Sequence, residues 1–171
     1  HKVAVVGLGG LGHMGVKFAV SMGAEVTMLS TSPSKENDAK MLGAHHFALS
    51  TDKDQMKALR GQFDFILNTV AAKYDLNKFL DLLTVEGKML LVGIPPEDNE
   101  LGSAKLISRR RSIIGSNVGG IAETQEMLDY CAEHNILSDV EMIQMKDINE
   151  AYTRISNSDV KYRFVIDMAS M

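Results

Sequence analysis

The 171-residue sequence predicts an α/β fold: a doubly wound parallel sheet of six strands with helices on both faces, then a short strand–helix–strand segment. Three observations predict it. Short β-branched and apolar runs alternate with helix-length stretches, the pattern of parallel strands joined by right-handed crossovers. The strand-like runs are apolar almost throughout rather than alternating, so the sheet is covered on both faces. The first run ends in a glycine-rich turn, Gly7-Leu8-Gly9-Gly10-Leu11-Gly12.

The elements follow in order. Lys2 to Val6 is a short buried strand. Residues 10–22 form a helical pattern, apolar at Leu11, Met14, Val16, Phe18, Ala19 and Met22, and Gly23-Ala24 closes it. Residues 25–29 are the second strand. Ser32-Pro33-Ser34 opens a helix that runs to Leu42, with Gly43 at its C-terminal cap. Residues 46–49 are a third strand, and residues 52–60 a short polar helix. Residues 64–70 make the fourth strand and 76–83 a helix. Residues 88–92 form a fifth, very apolar strand ended by Gly93. A turn-rich loop spans 95–102, and one or two helical turns follow over 104–108. The sixth strand runs from Ser112 to Ser116. Gly119-Gly120 marks the weak boundary, which sets residues 1–119 apart from 120–171. Beyond it, 124–134 is helical, and 140–145, 148–155 and 163–167 read as strand, helix, strand. Met14, Met22, Met28 and Met89 are placed on core faces, as filler.

The glycine turn carries chemistry because of where it stands. A G-x-G-x-x-G pattern after a strand and at the start of a helix is the dinucleotide-binding fingerprint of a Rossmann domain. Gly7 permits the tight turn. Gly9 leaves room for a pyrophosphate, and Gly12 lets helix and strand approach closely. The backbone N–H groups near Gly10 and Leu11, with the helix dipole, favour phosphate.

The end of the second strand points to which dinucleotide. NAD-selective sites place an Asp or Glu there to accept from the ribose hydroxyls. Residues 26–34 hold no acid, and the segment reads Ser30-Thr31-Ser32-Pro33-Ser34-Lys35. An acid would repel a 2′-phosphate, hydroxyls donate to it, and Lys35 adds a positive charge. NADP(H) is the expected cofactor. The serines also suit a helix cap, and one of them can do both.

These segments together resemble a known family. Residues 7–19, from Gly7 through His13 to Ala19, resemble the cofactor helix of the cinnamyl-alcohol-type, zinc-dependent alcohol dehydrogenases, within the medium-chain dehydrogenase/reductase superfamily. Ser30, Thr31, Ser32 and Lys35 resemble that group's NADP phosphate loop. The stretch from Gly115 through Ser116 and Asn117 to Gly120 resembles its nicotinamide-lining segment. Tyr162 to Asp167 resembles its C-terminal strand. The resemblance runs in order along essentially the whole chain. It implies that Thr69 and Val70, and also Val92, Gly93 and Ile94, lie beside the nicotinamide. It puts Arg163 near the pyrophosphate, although an arginine on a terminal strand also suits a surface ion pair.

The resemblance further implies an enzyme that interconverts aldehydes and primary alcohols by hydride transfer, with zinc as Lewis acid. The family's zinc ligands belong to an N-terminal lobe that has no counterpart here. Zinc is therefore expected in the full-length enzyme and not on this chain, which carries no catalytic residue of its own. Residues 120–171 would return to that lobe. The chain opens on a core strand with only His1 before it, which reads as a piece of something longer. The sixth strand implies a homodimer through Ser112 to Ser116.

Other features set limits. The formal net charge is −4 with no basic stripe, so nucleic acid is not an expected partner. There is one cysteine, Cys131, and no signal peptide or apolar run of bilayer length, so a cytoplasmic protein with no membrane partner is expected. His45 and His46 are adjacent before a strand, point apart and are not expected to bind metal. His13 is either near the cofactor or on the helix surface. Cys131 reads as a small packing hydrophobe. Arg109, Arg110 and Arg111 form either a solvated turn or a charged guard of the edge strand. Two other readings stay open: a zinc-free quinone or enoyl reductase of the same superfamily, and a stand-alone dinucleotide-binding module. The close glycine spacing disfavours a methyltransferase.

Overall fold

The computed structural model describes residues 1–171. The elements are β1 (Lys2–Val6), α1 (Gly10–Ser21), β2 (Glu25–Ser30), α2 (Glu36–Met41), β3 (His46–Leu49), α3 (Lys53–Ala58), β4 (Phe63–Asn68), α4 (Leu76–Leu80), β5 (Leu83–Leu91), α5 (Ser103–Ile107), β6 (Ser112–Gly115), α6 (Ile121–Glu133), β7 (Glu141–Gln144), α7 (Ile148–Ser156) and β8 (Phe164–Asp167). The first six strands form one parallel sheet in the order β3-β2-β1-β4-β5-β6, and β7 and β8 form a second, two-stranded parallel sheet. The order reverses between β1 and β4, where Val6 pairs with Asn68. That reversal opens a crevice at the carboxyl ends of the strands. No helix is long and apolar enough to cross a membrane.

Successive side chains of a strand face opposite ways, so each central strand feeds two cores. Val5 joins Val16, Val26 and Met28 under α1 and α2. Ala4 and Val6 join Leu29, Ile66, Leu80 and Met89 on the other face. This is why β1, β2 and β4 are apolar without alternation. Met28 and Met89 are fully buried, whereas Met22 is 68% exposed and fills no core. It stands at the cap of α1, beyond the last turn that faces the sheet.

Several boundaries differ from the sequence reading: β4 ends at Asn68, which leaves Thr69 and Val70 in the loop after it, and two other shifts have visible causes. Residues 82 and 83 do not continue the helix α4. Leu82 and Leu83 are buried against the sheet, and Leu83 pairs with Phe63 to start β5. The strand then breaks register and turns at Glu86, whose φ is +63°. A run of leucines suits a buried helix or a buried strand equally, and only the sheet decides. The helix α6 starts three residues earlier than its apolar pattern, because the Glu123 carboxylate accepts the Gly120 N–H at 2.8 Å.

The arginine triplet divides: Arg109 and Arg110 form the solvated turn, and Arg111 departs from both sequence readings. Arg109 and Arg110 are exposed, but Arg111 is buried. Its guanidinium donates to the carbonyls of Leu83, Thr84, Asp81 and Lys105. These lie at the end of α4, the start of β5 and the last turn of α5, so one planar fork ties three elements. Arg111→Met takes the guanidinium away from these carbonyls, the buried one of Leu83 among them, and is expected to cost about 3 kcal/mol in urea unfolding. Arg110→Met, which loses only an exposed pair with Glu86, is expected to leave stability unchanged.

Candidate functional site

The glycine turn sits at the reversal point of the sheet. Gly7 has φ +90°, a conformation that favours glycine. Gly9 caps α1 with extended backbone, and a Cβ built on it meets nothing within 4 Å. A Cβ on Gly12 would lie 1.8 Å from the Gly7 carbonyl oxygen, so helix and turn touch backbone to backbone. The first-turn N–H groups of a helix lack intrahelical acceptors, and here they belong to Gly10, Leu11 and Gly12. No side chain stands over them at Gly9.

The loop after β2 joins this turn directly. Lys35 Nζ donates to the Leu8 carbonyl at 2.8 Å. Ser30 is buried, and its hydroxyl accepts the Ser32 N–H at 3.2 Å. Ser32 and Ser34 share a hydrogen bond of 2.8 Å, and neither side chain caps the following helix. The structure thus removes the cap explanation for these hydroxyls. Thr31 is exposed.

The loops after β4 and β5 complete the edge. Thr69 donates its hydroxyl to the Val6 and Gly7 carbonyls at 2.9 and 3.1 Å. The Val70 N–H donates to Asn68 Oδ1, while Asn68 Nδ2 is buried without a partner in the chain. Gly93 packs so closely that a Cβ would lie 2.4 Å from the Val70 carbonyl oxygen. The later chain also reaches back to this side of the sheet: Lys161 pairs with Asp38 of α2 at 2.7 Å, and Tyr162 belongs to the core under α1. The Arg163 guanidinium is 3.9 Å from a Cβ built on Gly10 and makes no ion pair. Burial pushes the Tyr162 phenol up to about 12, with Asp38 and Asp139 adding to it.

With this geometry in view, residues 10–133 match the family described as zinc-binding dehydrogenase. The chain belongs to the zinc-binding dehydrogenase family. It is 51% identical over 170 residues to a protein of Mycobacterium bovis named NADP-dependent alcohol dehydrogenase C, covering 99% of this chain and 49% of that protein. It is 54% identical over 167 residues to the aldehyde reductase YahK of Escherichia coli, covering 97% and 48%. Among solved structures, a cinnamyl alcohol dehydrogenase of Sorghum bicolor matches with a TM-score of 0.96 at 44% identity, over 98% of this chain and 48% of that one. The cinnamyl alcohol dehydrogenase of Helicobacter pylori complexed with NADP(H) matches at 0.88 and 43%, with the same coverage. The chain spans about half the length of the relatives it matches.

For this zinc-binding dehydrogenase chain, the structure gathers most of the sequence-predicted residues along one edge. Gly7, Gly9, Gly10, Leu11 and Gly12 form its centre, with Lys35 on one side and Thr69, Val70 and Gly93 on the other. Val92 follows β5 directly and is half-buried, while Ile94 is 83% exposed. Ser116 continues β6, its N–H donating to the Leu91 carbonyl, and Asn117 is exposed. The fit to a dinucleotide is good: open space at Gly9, free first-turn N–H groups, and no carboxylate at the end of β2. The fit to a metal is not, because no three His, Cys, Asp or Glu side chains converge. His45 Nδ1 accepts the Val26 N–H, and His46 bonds the Glu25 carboxylate. A cavity of about 600 Å³ lined by Lys2, Thr27, His46 and Phe63 opens at the opposite, amino-terminal edge of the strands and belongs to another surface.

Sequence reasoning missed Asn68 and Tyr162, and it left His13 open between cofactor and surface. His13 is fully buried in the core rather than on the helix surface. The signal for it was its spacing, one turn after Gly9 on the face of α1 that meets the later chain. Cys131 is half-buried, its Sγ 3.6 Å from Met127 Sδ. The second and third glycines of the pattern, Gly9 and Gly12, are expected to respond differently to a methyl group. Gly12→Ala should lower the melting temperature sharply or prevent folding, whereas Gly9→Ala should melt with the parent in a thermal scan.

Proposed function

We propose that this chain is the cofactor-binding portion of an NADP(H)-dependent alcohol dehydrogenase of the zinc type, which interconverts aldehydes and primary alcohols. The observation that carries it is the acid-free end of β2, where Lys35 is hydrogen-bonded to the glycine turn itself. A cation there stands between the acid-free loop and the glycine turn, where it would favour the phosphates of a bound dinucleotide. The names of the relatives, NADP-dependent alcohol dehydrogenase and aldehyde reductase, support the same reading.

When bound, the nicotinamide supplies a hydride carrier. The residues of this chain bind and orient. The N–H groups of Gly10, Leu11 and Gly12 take the pyrophosphate, with Gly7 and Gly9 leaving it room and Arg163 adding charge. Ser30, Thr31, Ser32 and Lys35 take the 2′-phosphate. Thr69 and Val70, with Val92, Gly93 and Ile94, and with Ser116 and Asn117, line the nicotinamide half. Thr69 keeps that wall in place by holding the Val6 and Gly7 carbonyls. Orienting the nicotinamide ring towards one substrate face is the contribution this edge makes to rate. No metal-dependent step is assigned to these residues. The aldehyde or alcohol and the zinc belong to the longer protein.

In the same reading, residues 1–119 are the NADP-binding domain and 120–171 the return segment. The cytoplasm is the compartment a single, half-buried cysteine suits. The sixth strand pairs only with β5, leaving its outer edge free, and Ile114 on it is 43% exposed. An exposed strand edge invites pairing, and a homodimer through Ser112 to Ser116 follows.

Two experiments test this. Calorimetric titration at one salt concentration should show NADPH binding at least tenfold tighter than NADH, about 1.4 kcal/mol, and Lys35→Ala should remove most of that difference. Equal binding of NADH would sink the phosphate-loop assignment. Sedimentation at rising concentration should give a dimer that Ile114→Lys dissociates; monomers throughout would rule out the edge pairing.

A further inference from the structure

One buried titratable side chain next to the glycine turn has no part in the binding described so far. His13 Nδ1 lies 3.2 Å from the Gly9 carbonyl oxygen. Its Nε2 lies 3.3 Å from the Ser138 hydroxyl and 3.4 Å from the Asp139 backbone nitrogen. The ring stacks on Tyr162 with centroids 4.6 Å apart and 15° between planes. A carbonyl only accepts, so Nδ1 carries the hydrogen. A backbone N–H only donates, so Nε2 accepts. These partners specify the neutral Nδ1–H tautomer.

Further contacts run from α1 to the same later segment. One turn on, Lys17 donates to the Leu137 carbonyl at 2.7 Å and pairs with Asp139 at 2.9 Å. The Tyr162 N–H donates to the Asp139 carbonyl at 3.1 Å. Arg163 follows Tyr162, and its guanidinium stands beside Gly10, 3.9 Å from where a Cβ on that glycine would lie. Within a trans peptide, C=O and N–H point in opposite directions. The Gly9 carbonyl accepts the His13 backbone N–H at 3.0 Å as well as the ring Nδ1–H, and with two donors holding it towards the helix the Gly10 N–H is held away, towards the open side.

We propose that His13 is a positioning residue that locks the glycine turn to residues 138–163, fixing the Gly10 N–H and the Arg163 guanidinium as one preformed phosphate cradle. The consequence rests on the cofactor reading, and the lock itself on the hydrogen bonds of His13 to Gly9, Ser138 and Asp139.

The lock is sensitive to acid. A proton on Nε2 would face the Asp139 N–H, donor against donor. The charged groups around the ring are the Asp139 carboxylate, which favours protonation, and the Lys17 ammonium on α1, which opposes it; the Gly9 and Gly10 carbonyls favour it, and the Tyr162 phenol stays neutral. Burial outweighs them and holds the imidazole below its ordinary 6.5. An unfolded chain then takes up the proton first. The stabilisation from the lock is complete above about pH 6.5 and is lost as the pH falls below it.

The test combines NADPH calorimetry, amide hydrogen exchange and imidazole ¹⁵N NMR on this chain, with His13→Phe and His13→Gln. His13→Phe keeps a ring for Tyr162 and removes all three ring hydrogen bonds. His13→Gln returns an acceptor for the Asp139 N–H. The expected result is a loss of at least tenfold in NADPH affinity for His13→Phe, with exchange protection lost at Asp139 and Tyr162 but kept in the rest of α1. His13→Gln should recover part of both. Wild-type affinity should fall below pH 6.5 more steeply than that of His13→Gln. Unchanged affinity and protection in His13→Phe, or an Nε2–H tautomer, would overturn the lock. If His13→Phe does not fold, the wild-type pH series and His13→Gln decide. Failure of wild type to bind NADPH would overturn the cofactor reading alone, since exchange at Asp139 and the ¹⁵N shifts still report on the lock.

Discussion

The backbone contact between Gly12 and the carbonyl of Gly7 sets where everything else can be. Any side chain at Gly12 would occupy the space of that oxygen. The contact brings α1 down onto the sheet, and Gly15 one turn later continues it: a Cβ there would lie 2.6 Å from Leu67 Cδ2. With the helix this close, its first turn opens at the reversal point between β1 and β4. The free N–H groups and the end of the helix dipole then face the crevice where the strands end.

Around that contact the polar groups divide into those the chain satisfies and those it leaves open. Thr69 and Lys35 satisfy turn carbonyls, at Val6, Gly7 and Leu8. Both therefore brace the turn as well as border it. The hydroxyls of Ser32 and Ser34 bond only each other and remain at the rim. The buried Asn68 amide keeps Nδ2 without a partner at the same edge. Donors and a cation are thus gathered where no carboxylate opposes them, an arrangement that favours an anionic ligand.

The last third of the chain is fastened to α1 rather than hanging free. Tyr130 bonds Ser21, Lys17 holds Leu137 and Asp139, and Tyr162 enters the core beside His13. Even so, α6 is exposed along almost its whole length, and Met142 and Val165 of the small second sheet are open to solvent. One side of this segment is committed to the glycine turn, and the other is apolar surface without a neighbour in the chain.

The sequence by itself determined the six strands, their order of appearance, the glycine turn and the missing acid after β2. Those features rest on local properties: β-branched runs, glycine spacing within one turn, and the charge of residues a few positions apart. Tertiary structure alone decided the rest. Leu82 and Leu83 became strand because Phe63 was there to pair. Arg111 became a buried tie because three carbonyl-bearing ends met around it. His13 became a core residue because Ser138, Asp139 and Tyr162, more than a hundred positions away, close over it. A residue read alone has no partner in view, and burial and hydrogen bonding belong to pairs that only the folded chain brings within reach.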